Sequence, residues 1–405
     1  MRPWLLALVA LLLGSMSASS WAQDTGPYVT NGECDGFPKV NLTTASGLCA
    51  GLVGSHLGFV RGIAALGTDL YVTDMGGWGG IGRGKILRLR DNGHGKPETV
   101  LANLDQPSSI APAPGNMLYI GVLGKIIRYN PATQAVNDII VHLPVDGQHP
   151  LSAFAVAPDG SLFVNVGSGT DHCEKEGGSA PDPAAPCPEA SSHLLPRGAI
   201  VHIMPQATPI DAQTLTAYAT GLRNSIALTV LPSGQLYAGV NSRDIIDQAD
   251  PSLSDEDLPH DTLNLVREGQ EYGWPYCYDN NIPNPEYPHY DCSKKQLPTL
   301  LLPPHAAPLG MLLYKGNLLP GLKDKLIIGY HGYRAKGHRI VALALDKKQM
   351  PKGTPVDIIS GWDAKPGDHP MGAPVGLLEL EDGSIIVAED RNGTLLRIAR
   401  TPQKQ

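Results

Sequence analysis

Short runs of alternating apolar and polar residues, each entered from a turn, recur along this chain. The clearest are Gly67-Thr68-Asp69-Leu70-Tyr71-Val72, Gly115-Asn116-Met117-Leu118-Tyr119-Ile120 and Asp159-Gly160-Ser161-Leu162-Phe163-Val164. Three more are Ser233-Gly234-Gln235-Leu236-Tyr237-Ala238, Lys325-Leu326-Ile327-Ile328 and Asp382-Gly383-Ser384-Ile385-Ile386-Val387. Period-two alternation puts successive side chains on opposite faces, which marks a strand rather than a helix. Several copies lead into a second strand-like run, as in Lys125 to Tyr129, His338 to Leu343 and Thr394 to Ile398. Six similar meanders predict six blades. The expected fold is all-β: a six-bladed β-propeller of four-stranded antiparallel blades, whose radial packing shields most sheet edges. A large β-sandwich would explain repeated strands but not six similar copies. Two long insertions, Gly169 to Pro196 and Asp244 to Pro308, interrupt the repeat. Long loops on one face of such a scaffold are where function is expected.

Composition sharpens this picture. Gly (46) and Pro (36) are abundant among the 405 residues, and both are poor in helix interiors. The formal net charge is −8, from 31 Lys+Arg and 39 Asp+Glu, with no basic run. Nucleic acid is therefore not an expected partner, since phosphate binding needs a basic surface. Residues 1–22 read as a signal peptide. Arg2 opens it, Leu5 to Leu13 form a short apolar run, and Ser20-Trp21-Ala22 supplies small residues for cleavage. The expected mature domain is 23–405, periplasmic or secreted, with no membrane span. Its 383 residues allow about 64 per blade. Six cysteines fall as local couples, Cys34 with Cys49, Cys173 with Cys187 and Cys277 with Cys292. Disulfides are expected from that spacing and compartment. A metal site is the rival reading, but no metal-ligand spacing supports it.

Candidate chemistry lies mostly at strand ends. Arg223, in Gly221-Leu222-Arg223-Asn224-Ser225, precedes the fourth copy. Its planar guanidinium suits an anionic ligand, or equally ties two blades through their carbonyls. His149 stands at a strand entry before Pro158-Asp159-Gly160, and imidazole is the natural base near neutral pH, although a lone histidine is more often structural. His305 and His331 sit at equivalent ends of other blades, so the three histidines would converge on one axial pocket. The acidic run Asp244 to Asp261 suits calcium, or is simply a solvated loop. Gly77-Trp78-Gly79-Gly80-Ile81-Gly82 matches a dinucleotide fingerprint in letters only; it precedes a strand, so it reads as a turn.

Taken together, these segments resemble the soluble aldose dehydrogenases that depend on pyrroloquinoline quinone (PQQ), the glucose/sorbosone dehydrogenases. The resemblance rests on Cys34 to Cys49, on His149 with Ala157-Pro158-Asp159-Gly160, and on Gly221-Leu222-Arg223-Asn224. It extends through Glu271-Tyr272-Gly273-Trp274-Pro275-Tyr276-Cys277, His305-Ala306-Ala307-Pro308-Leu309-Gly310-Met311 and the closing copy from Gly376 to Ile398. It implies a six-bladed propeller that oxidises an aldose to a lactone or acid. His149 would be the base; Arg223, Asn224, Asn241, His305 and His331 would hold the quinone; Ser242 and Arg243, with Asn241, would offer calcium their backbone carbonyls. Electrons would pass to a separate acceptor. The chain departs from the pattern at Ser168, where glucose-oxidising members carry Asp, at His331, where some carry Lys, and at Ala373, where an Arg usually faces the cofactor carboxylates. Ser242 stands where the family often has Gly. A calcium-dependent propeller lactonase and a non-enzymatic sugar- or protein-binding propeller are the competing expectations.

Overall fold

The computed structural model describes residues 26–175, 177–332, 334–362 and 372–402. The expected leader at 1–22 lies outside them. Six inner strands, Val60–Leu66, Ser109–Ala113, Phe154–Val156, Ala227–Val230, Pro308–Leu313 and Pro374–Glu379, form a closed ring. Each pairs antiparallel with the strand outside it: Asp69–Asp74, Met117–Val122, Leu162–Val166, Leu236–Val240, Leu326–Tyr330 and Ile385–Glu389. Those six second strands are the repeat seen in the sequence, and the fold is a six-bladed β-propeller.

The second strands are buried on both faces. Leu162 and Val164 pack with the second blade, whereas Phe163 between them packs with the fourth. Ile385 and Val387 face the fifth blade, and Ile386 faces the first. Alternation thus assigns each residue to one of two neighbouring inter-blade layers, and each layer is a hydrophobic cluster. Each fully buried Ile or Leu in such a layer stabilises the fold by roughly 1.5–3 kcal/mol. The inner strands approach closely where side chains are absent. A Cβ on Gly376 would stand 2.5 Å from the Arg61 carbonyl oxygen.

The blades are less uniform than four strands each. The first and fourth have four strands; the second gains Ile210–Asp211 and the fifth gains Thr43–Thr44. The third has three named strands, with Ala219 bridging to Ile200 beside the third of them. In the sixth, the chain's last strand, Thr394–Arg400, pairs with Leu48–Gly54 from its beginning. The sequence therefore does not divide into six consecutive blades. Its first long strand completes the last blade, and opening the ring means breaking that ladder.

The closure is reinforced by Tyr28. Its hydroxyl donates to Glu389 Oε2 at 2.6 Å and accepts from Trp362 Nε1 at 2.7 Å and Asn392 Nδ2 at 3.1 Å. Burial pushes the Glu389 carboxyl up to about 7. Tyr28→Phe removes the hydroxyl and with it one hydrogen bond each from Glu389, Trp362 and Asn392. It is expected to cost about 1–3 kcal/mol, read by chemical denaturation at pH 7. A change below the error of that measurement would show that the hydroxyl does not hold the closure.

The three disulfides are the local couples: Cys34–Cys49, Cys173–Cys187 and Cys277–Cys292. No helix of the described residues is long and apolar enough to cross a membrane.

Candidate active site

Antiparallel pairing sets the start of every inner strand beside the end of the strand outside it. Loops before the one and after the other therefore crowd onto one end of the ring. His149, Arg223 with Asn224, and His305 precede the inner strands of the third, fourth and fifth blades. Asn241, Ser242 and Arg243 follow the fourth blade's second strand, and His331 follows the fifth's. Two adjoining cavities occupy this end. One, of about 250 Å³, is lined by Arg61, Trp78, Gln148 and Asn224. The other, of about 350 Å³, is lined by Arg223, Ser242, Asp244, Asp261, His305 and Arg334. They share His149, Asn241, Ala307 and His331. The three histidines do converge. Arg243 alone of the expected residues turns away, pairing at 2.7 Å with the buried Glu286 of the second insertion.

His149 is seated tightly. A Cβ on Gly167 would lie 2.4 Å from the His149 carbonyl oxygen, so only glycine admits the histidine at this distance. His149 Nδ1 lies 2.8 Å from Ser168 Oγ and 3.2 Å from the Ser168 carbonyl oxygen. A carbonyl only accepts, so Nδ1 carries the proton and Nε2 the lone pair. Burial, then the nearby Arg223 cation, hold this imidazole down to about 3. It is neutral throughout the physiological range.

Arg223 is buried and its donors are occupied. Nε donates to the Asp171 carbonyl at 2.9 Å, Nη1 to the carbonyls of Asn241 at 3.2 Å and Ser242 at 2.7 Å, and Nη2 to the Asp171 carboxylate. Of the two readings open in the sequence, this is the one that ties blades through carbonyls. Asp171, from the first insertion, is the hub. It also accepts from Asp244 N at 2.9 Å, pairs with His172 at 2.9 Å, and its carbonyl takes the Trp274 indole N–H at 2.9 Å. Burial works to raise its carboxyl, but Arg223 and these donors hold it down at about 2.

The other two histidines are shifted in opposite directions. His305 Nδ1 lies 3.2 Å from an Asp244 carboxylate oxygen. Burial opposes its charge, yet the Asp244 hydrogen bond prevails and raises its pKa. His331 Nε2 lies 3.0 Å from Asp390, which also binds Arg61 at 2.7 Å. There burial prevails and lowers the histidine, while Asp390, despite its own burial, is held below its usual value by the His331 hydrogen bond and then by Arg61. Asp261 accepts Ser242 N at 2.8 Å and Ala307 N at 2.6 Å, locking the loops of two blades together. Burial lifts it to about 6.

The acidic run is largely spent on the protein itself. Asp250 caps Ser252, Asp255 binds Arg334, and Asp261 is buried as described. Among the described residues, the one group of three potential metal ligands is Cys173, Cys187 and Glu189, and its cysteines form a disulfide. The residues with oxygen donors that line the larger cavity are Asn241, Ser242, Asp244 and Asp261.

The profile of the Glucose / Sorbosone dehydrogenase family matches residues 122–354. The chain belongs to the glucose/sorbosone dehydrogenase family. The matched span runs from the second blade to the fifth and contains His149, Arg223, Asn224, Asn241, His305 and His331. An uncharacterized protein of Borreliella burgdorferi is 30% identical over 191 residues, which are 44% of this chain and 48% of that one. This chain thus spans about half the length of that relative. Among solved structures, the Carbohydrate-Active Enzymes Family AA12 protein of Trichoderma reesei shares the propeller. Its TM-score is 0.72 at 20% identity, over 92% of this chain and 100% of that one. The PQQ domain of Coprinopsis cinerea pyranose dehydrogenase gives 0.70 at 18%, covering 91% and 99%. The aldose sugar dehydrogenase of Streptomyces coelicolor, in its PQQ-bound form, gives 0.61 at 15%, covering 88% and 99%.

Sequence reasoning did not find Asp171, Asp390, Arg61 or Trp78 as site residues. Each follows a second strand or opens an inner strand, as the expected residues do. For Asp390, Arg61 and Trp78 that position in the repeat was the available signal; Asp171 lies in the first insertion, where the repeat offers none.

Proposed function

We propose that this protein oxidises an aldose or related sugar aldehyde to a lactone or acid, using PQQ and calcium bound in the two joined cavities. The neutral His149 at their junction carries this reading. Its Nε2 lone pair is poised to take the proton of the anomeric hydroxyl. Bound here, the quinone would supply the two-electron oxidant that receives the hydride.

The residues present fit such a guest. Asn224 and Asn241 each bury an amide oxygen that has no partner, so both amides have capacity left for a polar ligand. His305, paired with Asp244, and Arg334, paired with Asp255, line the larger cavity and offer N–H donors to carboxylates. Ala373 is fully buried, and no cation comes from that position. Arg61 of the neighbouring first blade lines the smaller cavity instead, with its Nε buried and unpartnered. Calcium would be held by the Asp244 carboxylate with the carbonyls of the Asn241–Arg243 run; those of Asn241 and Ser242 each have a second lone pair beyond the bond to Arg223. Arg223 would act through these carbonyls and by its charge, and Asn224 directly.

The domain at 23–405, export with cleavage near Ala22, and electron delivery to a separate acceptor belong to the same proposal. Formed disulfides suit an oxidising compartment. The test is reconstitution. Chelator-stripped protein is titrated with PQQ with and without calcium, then assayed for dye reduction with a panel of aldoses. Saturable, calcium-dependent quinone binding with sugar-dependent reduction is expected. Quinone binding without reduction by any sugar would overturn the substrate assignment; no binding would overturn the whole reading.

A further inference from the structure

Trp78 is the apolar side chain that the core leaves unused at the site. It is 55% exposed, whereas Trp274 and Trp362 are 7% and 0% exposed. It lines the same cavity as His149, Gln148 and Asn224. We propose that Trp78 is the platform against which the pyranose ring of the substrate lies, an inference that rests on the sugar-oxidising reading above.

The loop that carries it is glycine-rich but fastened. It runs between Asp69–Asp74 and Gly84–Leu89 of the first blade. Gly76 N donates to Asp74 Oδ1 at 3.0 Å, Gly79 N to Gln106 Oε1 at 3.3 Å and Gly82 N to Asp105 Oδ1 at 2.7 Å. The indole itself is held from two sides. The Arg61 guanidinium carbon lies 5.8 Å from the ring centroid, and Phe59 meets the ring edge-on at 6.4 Å. The salt bridge of Arg61 to Asp390 fixes the cation in turn. A large π-surface is thus presented at a set tilt beside the base, with more than half of its area open.

An aldopyranose has the complementary shape. One face of the ring is a patch of C–H bonds, whose slight positive charge is drawn to the negative π-face, while the hydroxyls project from the rim. Lying on the indole, that face is taken out of water, and the rim hydroxyls are left to Gln148, Asn224 and His149. The platform therefore selects for a closed ring. A short acyclic aldehyde has no such face to offer.

The test uses methyl β-D-glucopyranoside and methyl β-D-xylopyranoside, whose blocked anomeric oxygen prevents oxidation. Each is titrated by calorimetry into wild-type and Trp78→Ala protein, with and without bound PQQ. The substitution is expected to weaken glycoside binding about tenfold, the upper end of what an aromatic contact contributes. In dye reduction at saturating PQQ it should raise KM for aldopyranoses by a similar factor with a much smaller change in kcat, and leave KM for glyceraldehyde as in wild type. Trp78→Phe should keep most of the affinity. Equal glycoside affinity in wild type and Trp78→Ala, or no glycoside binding in either form of the wild type, would overturn the platform. So would an equal rise in KM for glyceraldehyde. Should the wild type oxidise no sugar, the reading it rests on fails, while the glycoside titration still decides the platform.

Discussion

Replacing His149 with alanine is expected to lower turnover by about two to four orders of magnitude, the usual contribution of a positioned general base. Affinity for PQQ, read by titration, should change little, because the cavity keeps its asparagines and cations. The expectation comes from the tautomer. Ser168 holds Nδ1–H, so the lone pair is left on Nε2. It also predicts an unusual pH profile. A histidine of ordinary pKa would lose its base function below about 6.5. Held at about 3, His149 should keep kcat/KM free of any acidic limb of its own down to about pH 4. The same depression has a stability consequence. In the unfolded chain His149 takes up a proton below about 6.5, and in the folded protein only near 3, so stability is lost as pH is lowered through that window. Turnover in His149→Ala within a few-fold of wild type would dismiss the assigned base. An acidic limb near 6.5 that the substitution removes would instead dismiss the depressed pKa.

Asp171→Ala is expected to destabilise the protein by about 3–5 kcal/mol, the range for removing one partner of a buried ion pair. The loss exceeds that of the interaction alone, because Arg223 would stay buried with an uncompensated charge. Three contacts of the side chain go together, those to Arg223 Nη2, Asp244 N and His172, which hold the carboxyl at about 2. The loops bearing Asn241 and Asp244 are tied through this group, so quinone binding should fall as well. The sign with pH is opposite in origin but similar in direction to that of His149. An unperturbed Asp titrates near 3.8, and this one near 2, so its contribution is present above about 4 and is lost as pH falls through 2. Chemical denaturation at pH 7 checks the magnitude. A loss below about 1 kcal/mol would mean that the Arg223–Asp171 pair is solvated in a way that its burial does not suggest.

Much of the site was legible because the repeat is legible. His149, Arg223, Asn224, Asn241, Ser242, His305 and His331 all flank recognisable strands, and antiparallel pairing sends those flanks to one end of the ring. Arg243 shows the limit. It adjoins Ser242 in sequence, yet its side chain pairs with Glu286, forty-three positions away in an insertion that has no repeat signal. Asp171 was hidden for the same reason, since it lies in the other insertion. Its importance comes from contacts 52, 73 and 103 residues distant. Arg61 and Asp390 come from the first and last blades, so their pairing depends on the ring having closed.

By itself the sequence determined the strands, their number of copies, the local cysteine couples and the candidates at strand ends. All of these follow from short-range pattern: alternation, turn chemistry and loop closure act between residues that are close along the chain. Tertiary structure decided the rest. It joined the beginning of the chain to its last blade, neutralised His149 by burial, and directed Arg223 into the carbonyls of Asn241 and Ser242. It also left Trp78 uncovered over a cavity. These outcomes depend on desolvation and on contacts made across blades, which no local pattern of residues encodes.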